Sequence, residues 1–267
     1  LRVFEDKGYK VIPITRDIIK DNKKLTETIE ETDLLINLAG ANIINRWSDS
    51  YKKLLYSSRI DTTKALVKAI SNASKKPETF ISTSAIGIYK HSKSHDEFNY
   101  EYENDFLSNL CQDWESEALK ASEYDVRTII FRFGIVLGEG GALEKMILPF
   151  KLGLGGIIGD GEQYVSFIHI DDLTKAYEFV FNHDRCEGIY NLTTPYSTTN
   201  HGFTKALGRV LQRPTFIPVP KFMLSLIFGE GSKVLTHGQS VRPNRLLFSG
   251  FEFKFKTIED AIYNLAQ

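Results

Sequence analysis

Cysteine is scarce in this 267-residue chain, where Cys111 and Cys186 stand far apart and outside any CxxC or Cys/His spacing. Two such residues give no disulfide framework and no zinc motif, and they suit a reducing compartment. An excess of charge is missing as well. With 33 Lys plus Arg against 34 Asp plus Glu, no global electrostatic footprint points to nucleic acid or to an anionic membrane surface. No apolar run approaches the ~20 residues that span a bilayer, and no charged-then-apolar signal opens the chain. The expectation is a soluble, cytoplasmic protein with a small-molecule substrate of unknown identity and with no nucleic-acid or membrane partner. The oligomeric state is not legible.

An initiating methionine is also lacking. In the opening LRVFEDKGYKVIPITR, Leu1, Val3 and Phe4 predict the end of an amphipathic helix, Gly8 its C-cap and Tyr9–Thr15 a strand. A domain seldom starts inside a helix, so an upstream strand and turn are expected. No glycine fingerprint for a dinucleotide is present. The glycines between 153 and 161 follow the amphipathic KMILPFKLG rather than a buried strand, and they predict a mobile loop on the substrate side.

What is present is a rhythm of strands and helices. LLINLA at 34–39, TFISTSA at 79–85 and RTIIFRF at 127–133 are apolar runs of the kind buried on both faces of a parallel sheet. Between them, Ser48 can cap a long helix, and a second helix carries Phe106, Leu107, Leu110, Cys111, Trp114 and Ala118 on one face. Strands alternating with helices predict right-handed crossovers and an α/β, Rossmann-like, doubly wound parallel sheet. A core over residues 1–150 is expected, followed over 151–267 by a smaller, mixed α/β, substrate-side region.

In such a sheet, ligands lie beyond the carboxyl ends of the strands. Arg16 closes VIPIT, and a guanidinium at the end of the second strand of such a unit suits the 2′-phosphate of NADP, favouring NADPH over NADH; a solvated arginine is the plainer alternative. NLAGA at 37–41 places small residues where backbone must approach a cofactor, with Leu38, Ala39 and Gly40 as candidates. STSAIGIY at 82–89 adds Ser82 beside the cofactor, and Ser84 and Tyr89 as hydroxyls within reach of a substrate oxygen, although serine is equally a turn residue. RFGIVLG brings Gly134 and Ile135 toward a nicotinamide ring. His169 in FIHIDDL invites a catalytic role, but Asp171 and Asp172 fall where a helix N-cap is expected.

Taken in order, NLAGANI, SSRI, STSAIGIY, FLSNLCQDWE, FRFGIVLGEGGAL, KLGLGGIIGDGEQ, FIHIDDL and GQSVRPNRLLFSGFEF resemble the extended, epimerase-like branch of the short-chain dehydrogenase/reductase superfamily. More narrowly, the chain resembles atypical proteins called NAD-dependent epimerase/dehydratase with a C-terminal domain of unknown function, here 218–267. The resemblance implies a GxxGxxG turn upstream of this chain, Arg16 as the basic residue after the second strand, and Leu38, Ala39 and Gly40 as the cofactor turn. It also implies Ser84 as the upstream serine of the active site. Arg59 stands where the superfamily has asparagine, Leu107 where it has tyrosine and Cys111 where it has lysine. Leucine cannot transfer a proton, and cysteine brings no positive charge. Ser84, Tyr89 and Arg59 are the available substitutes, and Cys111 reads equally as a small core residue. Two functions follow from the resemblance: an NADP(H)-dependent oxidoreductase or nucleoside-diphosphate-sugar epimerase-like enzyme using Ser84 and Tyr89 with Arg59 orienting or neutralising substrate, or an NADP(H)-sensing binding protein with little or no turnover.

Overall fold

The apolar runs of the sequence form a central sheet in the computed structural model, which describes residues 2–140, 147–153 and 155–265. Along the chain the strands are β1 (Leu34–Asn37), β2 (Thr79–Ala85), β3 (Ser94–His95), β4 (Arg127–Phe133), β5 (Ile135–Leu137), β6 (Tyr164–Val165), β7 (Phe167–His169), β8 (Gly188–Leu192), β9 (Thr198–Thr199) and β10 (Ser240–Val241). Four of them lie side by side in the order β1-β2-β4-β8, all parallel, with Ile36 opposite Ile81 and Ile81 opposite Ile129. The helices begin with α1 (Arg2–Glu5), α2 (Arg16–Lys20) and α3 (Asn22–Glu30). Parallel strands need crossovers, which α4 (Asp49–Asn72), α5 (Phe106–Leu119) and α6 (Ile170–Phe181) supply in turn. Later come α7 (Asn200–Val210), α8 (Lys221–Phe228), α9 (Lys233–Thr236), α10 (Asn244–Phe248) and α11 (Ile258–Leu265).

Side chains alternate between the faces of a strand, so β2 sends Phe80, Ser82 and Ser84 one way and Ile81 the other. Phe80 joins Leu25, Ile29, Leu66, Ile70 and Ile130 in a core with α3 and α4, while Ile81 joins Ile129, Phe131, Leu173 and Tyr177 in a core with α6. Helices therefore cover both faces, the doubly wound, Rossmann-like arrangement expected from the sequence. A third core links β5 and β7 to α7 and α11 through Phe167, Phe203, Leu207, Phe255 and Ile262. No helix of the described residues is long and apolar enough to cross a membrane.

Two local expectations change. Residues 9–15 carry no ladder bonds: a strand exists only beside another strand, and β1 pairs with β2 alone. Tyr9 is instead held by aromatic edge contacts to Phe4 and Phe181, at 5.6 and 6.3 Å. The N-cap of α6 is neither Asp171 nor Asp172. Because β7 runs directly into the helix, the cap falls on His169, whose Nδ1 accepts the Asp171 amide at 3.1 Å. Asp172 lies in the first turn and accepts the amides of Lys254 and Phe255, both at 2.8 Å. The expected cap at Ser48 is present, with Oγ accepting the Tyr51 amide.

Candidate functional site

The central strands run parallel, so their carboxyl ends share one edge, and the segments after β1, β2 and β4 gather there. After β1, Leu38 is 63 % exposed. Ala39 is fixed by its amide donating to Asn37 Oδ1 at 3.1 Å. Asn37 Nδ2 donates to Thr63 Oγ1 at 2.9 Å and to Ser82 Oγ at 3.3 Å, and Trp114 Nε1 donates to the same Thr63 oxygen. Ser82 is thus a buried member of the network that anchors the loop, and its hydroxyl faces inward.

Arg59 reaches the same loop from α4. Its Nη2 donates to Ala41 O at 3.0 Å and its Nη1 to Leu55 O at 3.2 Å, while Ser58 Oγ accepts the Ala41 amide at 3.0 Å. A Cβ at Gly40 would stand 3.0 Å from the guanidinium carbon, so only glycine leaves the loop lying flat against Arg59. Trp114 covers another side, its ring 5.2 Å from that carbon. Burial pulls the Arg59 pKa below the usual arginine value.

Ser84, Arg132 and Asn191 stand in register across β2, β4 and β8 on the face toward α5. Arg132, 1 % exposed, binds Glu115 with two prongs, Nε to Oε1 at 2.7 Å and Nη2 to Oε2 at 2.6 Å. Ser84 Oγ donates to Glu115 Oε1 at 2.6 Å. Arg132 also donates to the phenol oxygens of Tyr89 and Tyr102, at 2.8 and 2.9 Å, and Tyr89 donates to Asn191 Oδ1 at 2.8 Å. Burial works against the Arg132 charge, but Glu115 more than offsets it and holds the guanidinium protonated. Burial also raises the Tyr89 phenol above the usual tyrosine value. The structure therefore brings Ser84 and Tyr89 together, as sealed parts of one ion-pair network. Glu115 and Arg132 escaped the sequence reading, although a carboxylate beside Trp114 and an arginine inside RTIIFRF were the available signals.

Cys111 lies in a small core with Ile88, Tyr89 and Val241. Burial, with Glu115 adding to it, pushes its thiol up to about 12, so it is protonated at neutral pH. Leu107 packs on Gly87, where a Cβ would come within 2.6 Å of its side chain. Gly134 and Ile135 sit at the end of β4 and the start of β5. A Cβ at Gly134 would meet Ser166 O at 2.7 Å, so strand packing alone accounts for glycine there, and Ile135 pairs with Phe167 and packs into the third core. Arg16 stands apart from these groups as the first residue of α2, exposed, with no side-chain hydrogen bond among the described residues. A dinucleotide is consistent with what is free: an exposed guanidinium at Arg16, and a flat loop at Leu38–Gly40 with small residues beside a buried anchor. No group of three or more metal-ligating side chains exists among the described residues.

Comparison with known proteins agrees with this geometry. Residues 1–193 match the model of the NAD dependent epimerase/dehydratase family, and residues 219–265 match DUF1731, a domain of unknown function. The chain is similar to Epimerase family protein SDR39U1 of Mus musculus, 40 % identical over 237 residues, covering 86 % of this chain and 80 % of that protein. It is also similar to Epimerase family protein YfhF of Bacillus subtilis, 37 % identical over 241 residues, covering 90 % and 80 %. The crystal structure of human epimerase family protein SDR39U1 with NADPH superposes with a TM-score of 0.89 at 32 % identity, covering 99 % of this chain and 93 % of that one. With its doubly wound sheet and a family match over most of its length, this chain belongs to the NAD dependent epimerase/dehydratase family.

Proposed function

We propose that this chain binds NADP(H) and acts as a cofactor-responsive binding protein, rather than as a sugar-nucleotide epimerase working through side-chain acid–base chemistry. The occupation of Ser84 and Tyr89 carries this reading: both hydroxyls are bonded inward, to Glu115 and to Asn191. General acid–base groups usually contribute about 100- to 10,000-fold to a rate. Here the thiol of Cys111 is held protonated, Leu107 has no proton to give, and Arg59 is engaged by backbone carbonyls. NADPH is favoured over NADH because Arg16 leaves its guanidinium open to a 2′-phosphate, and the human relative was crystallised with NADPH. The balanced charge fits a small-molecule partner better than nucleic acid.

A second reading, an NADP-dependent oxidoreductase, is favoured by the 2.6 Å contact of Ser84 with Glu115. In the direction of substrate oxidation, a substrate hydroxyl would give its proton to Ser84 Oγ as Ser84 gives its own to Glu115, while the cofactor would take the hydride. Titration of NADPH and NADH into the natural full-length protein, beside Arg16→Ala, tests the common part; tighter NADPH binding that weakens in Arg16→Ala is expected. A screen of nucleoside-diphosphate sugars and simple carbonyl compounds should then give no turnover. Turnover lost in Ser84→Ala with NADPH binding retained would establish the second reading, and no binding of either cofactor would overturn both.

A further inference from the structure

We propose that Arg59 is the counter-ion of a phosphate-type oxyanion bound against the loop Leu38–Ala41. The inference rests on the NADP(H) reading for only one of the two sources that such an anion can have.

Two other inward-facing arginines of this molecule have their charge answered from within. Arg132 is neutralised by the two-pronged bond to Glu115. Arg127 has no acid, but it donates to the carbonyls of Val180, Phe181, His183 and Cys186 around the C-terminal end of α6, and to Thr79 Oγ1. A helix C-terminus carries roughly half a negative charge, which answers the cation. Arg59 has neither device. Its acceptors are Ala41 O, Leu55 O and a long contact of 3.5 Å to Ser58 Oγ, and Leu55 lies inside α4 rather than at its end. Among the described residues no carboxylate lies within salt-bridge distance, and the titratable groups that act on its charge are the Cys111 thiol and the Tyr51 phenol. A half-buried cation without an anion is costly, and the cost falls when a ligand supplies one.

Position supplies the rest. Gly40 lies flat on the guanidinium at the ligand end of the sheet, and with Ala39 it leaves no bulky side chain over that stretch of loop. A guanidinium presents forked donors that match phosphate and carboxylate oxygens. The oxyanion comes either from the dinucleotide or from a second, anionic ligand, and the two sources separate by experiment.

The test compares the full-length wild type with Arg59→Gln and Arg59→Lys, after melting curves establish that each variant folds. NADPH is titrated at rising sodium chloride, and inorganic phosphate is titrated into both the cofactor-free and the NADPH-saturated protein. If the dinucleotide is the source, Arg59→Gln weakens NADPH binding by about 10- to 100-fold, the size of one charge-assisted hydrogen bond, and flattens its salt dependence, while Arg59→Lys recovers part of both. If a second ligand is the source, NADPH affinity is unchanged, and phosphate binds the NADPH-saturated wild type and Arg59→Lys but not Arg59→Gln. Arg59→Gln that behaves as the wild type toward both probes would overturn the proposal. Wild type that binds no NADPH would remove the cofactor reading alone, and phosphate binding that still required Arg59 would uphold the counter-ion role.

Discussion

Arg132 on β4 and Arg59 on α4 both meet α5, at Glu115 and at Trp114, yet the molecule treats them in opposite ways. Arg132 is enclosed by Glu115, Tyr89 and Tyr102, and every neighbour answers its charge or its donors. Arg59 faces a loop of small residues with carbonyls for company and no acid. The contrast teaches that burial alone does not mark function. Charge satisfied from within supports the fold, whereas charge left unanswered beside open backbone invites a ligand.

Removing the acid of the sealed pair should produce the largest effect. Glu115→Gln leaves Arg132 buried without an anion and is expected to cost about 3–5 kcal/mol in denaturant unfolding, as one-sided breaks of buried ion pairs do. Arg59→Gln should lose far less stability, and equal losses would erase the distinction between the two arginines. Next in size is Gly134→Ala. Its Cβ would press on Ser166 O, which accepts the Ile135 amide, and on Cγ2 of Thr193, whose hydroxyl donates to Val241 O, so a loss of about 1–3 kcal/mol is expected by calorimetry. A near-neutral result would return Gly134 to the cofactor side of the ledger.

Acid should also unsettle the molecule through two histidines. His169 is neutral in the fold, because its Nδ1 accepts the Asp171 amide, and burial lowers its pKa below the ordinary 6.5. The unfolded chain therefore takes up the proton first. Stability is fully present above that pH and is lost as pH falls below it. His237 acts in the same direction, its pKa lowered by burial and by His91 and Lys233. Melting temperatures measured across this range should decline toward acid, less steeply in His169→Asn. The smallest effect belongs to Gly40→Ala, whose Cβ would meet only side-chain atoms of Arg59 and no backbone. It should cost under about 1 kcal/mol, and the cost should disappear in an Arg59→Ala background, a coupling that a double-mutant cycle reads directly.

Much of the fold was legible because it follows from local rules. Runs such as TFISTSA and RTIIFRF are apolar in a way that only a strand covered on both faces tolerates, and Ser48 marks a helix start by its own hydroxyl. The site was legible only in part. SSRI and STSAIGIY pointed to Arg59, Ser84 and Tyr89, but nothing local reveals that Ser84 and Tyr89 are bonded to Glu115 and Asn191, 31 and 102 residues away. The cap of α6 escaped for a related reason, since histidine becomes a cap only where a strand delivers it there.

The sequence by itself determined the alternation of elements and the parallel sheet, because periodicity and residue chemistry act over a few positions. Tertiary structure alone decided which polar side chains are satisfied from within and which are not. Hydrogen bonds and ion pairs join residues that the fold, not the chain, makes neighbours. It is this long-range pairing that seals Arg132 and leaves Arg59 without an acid.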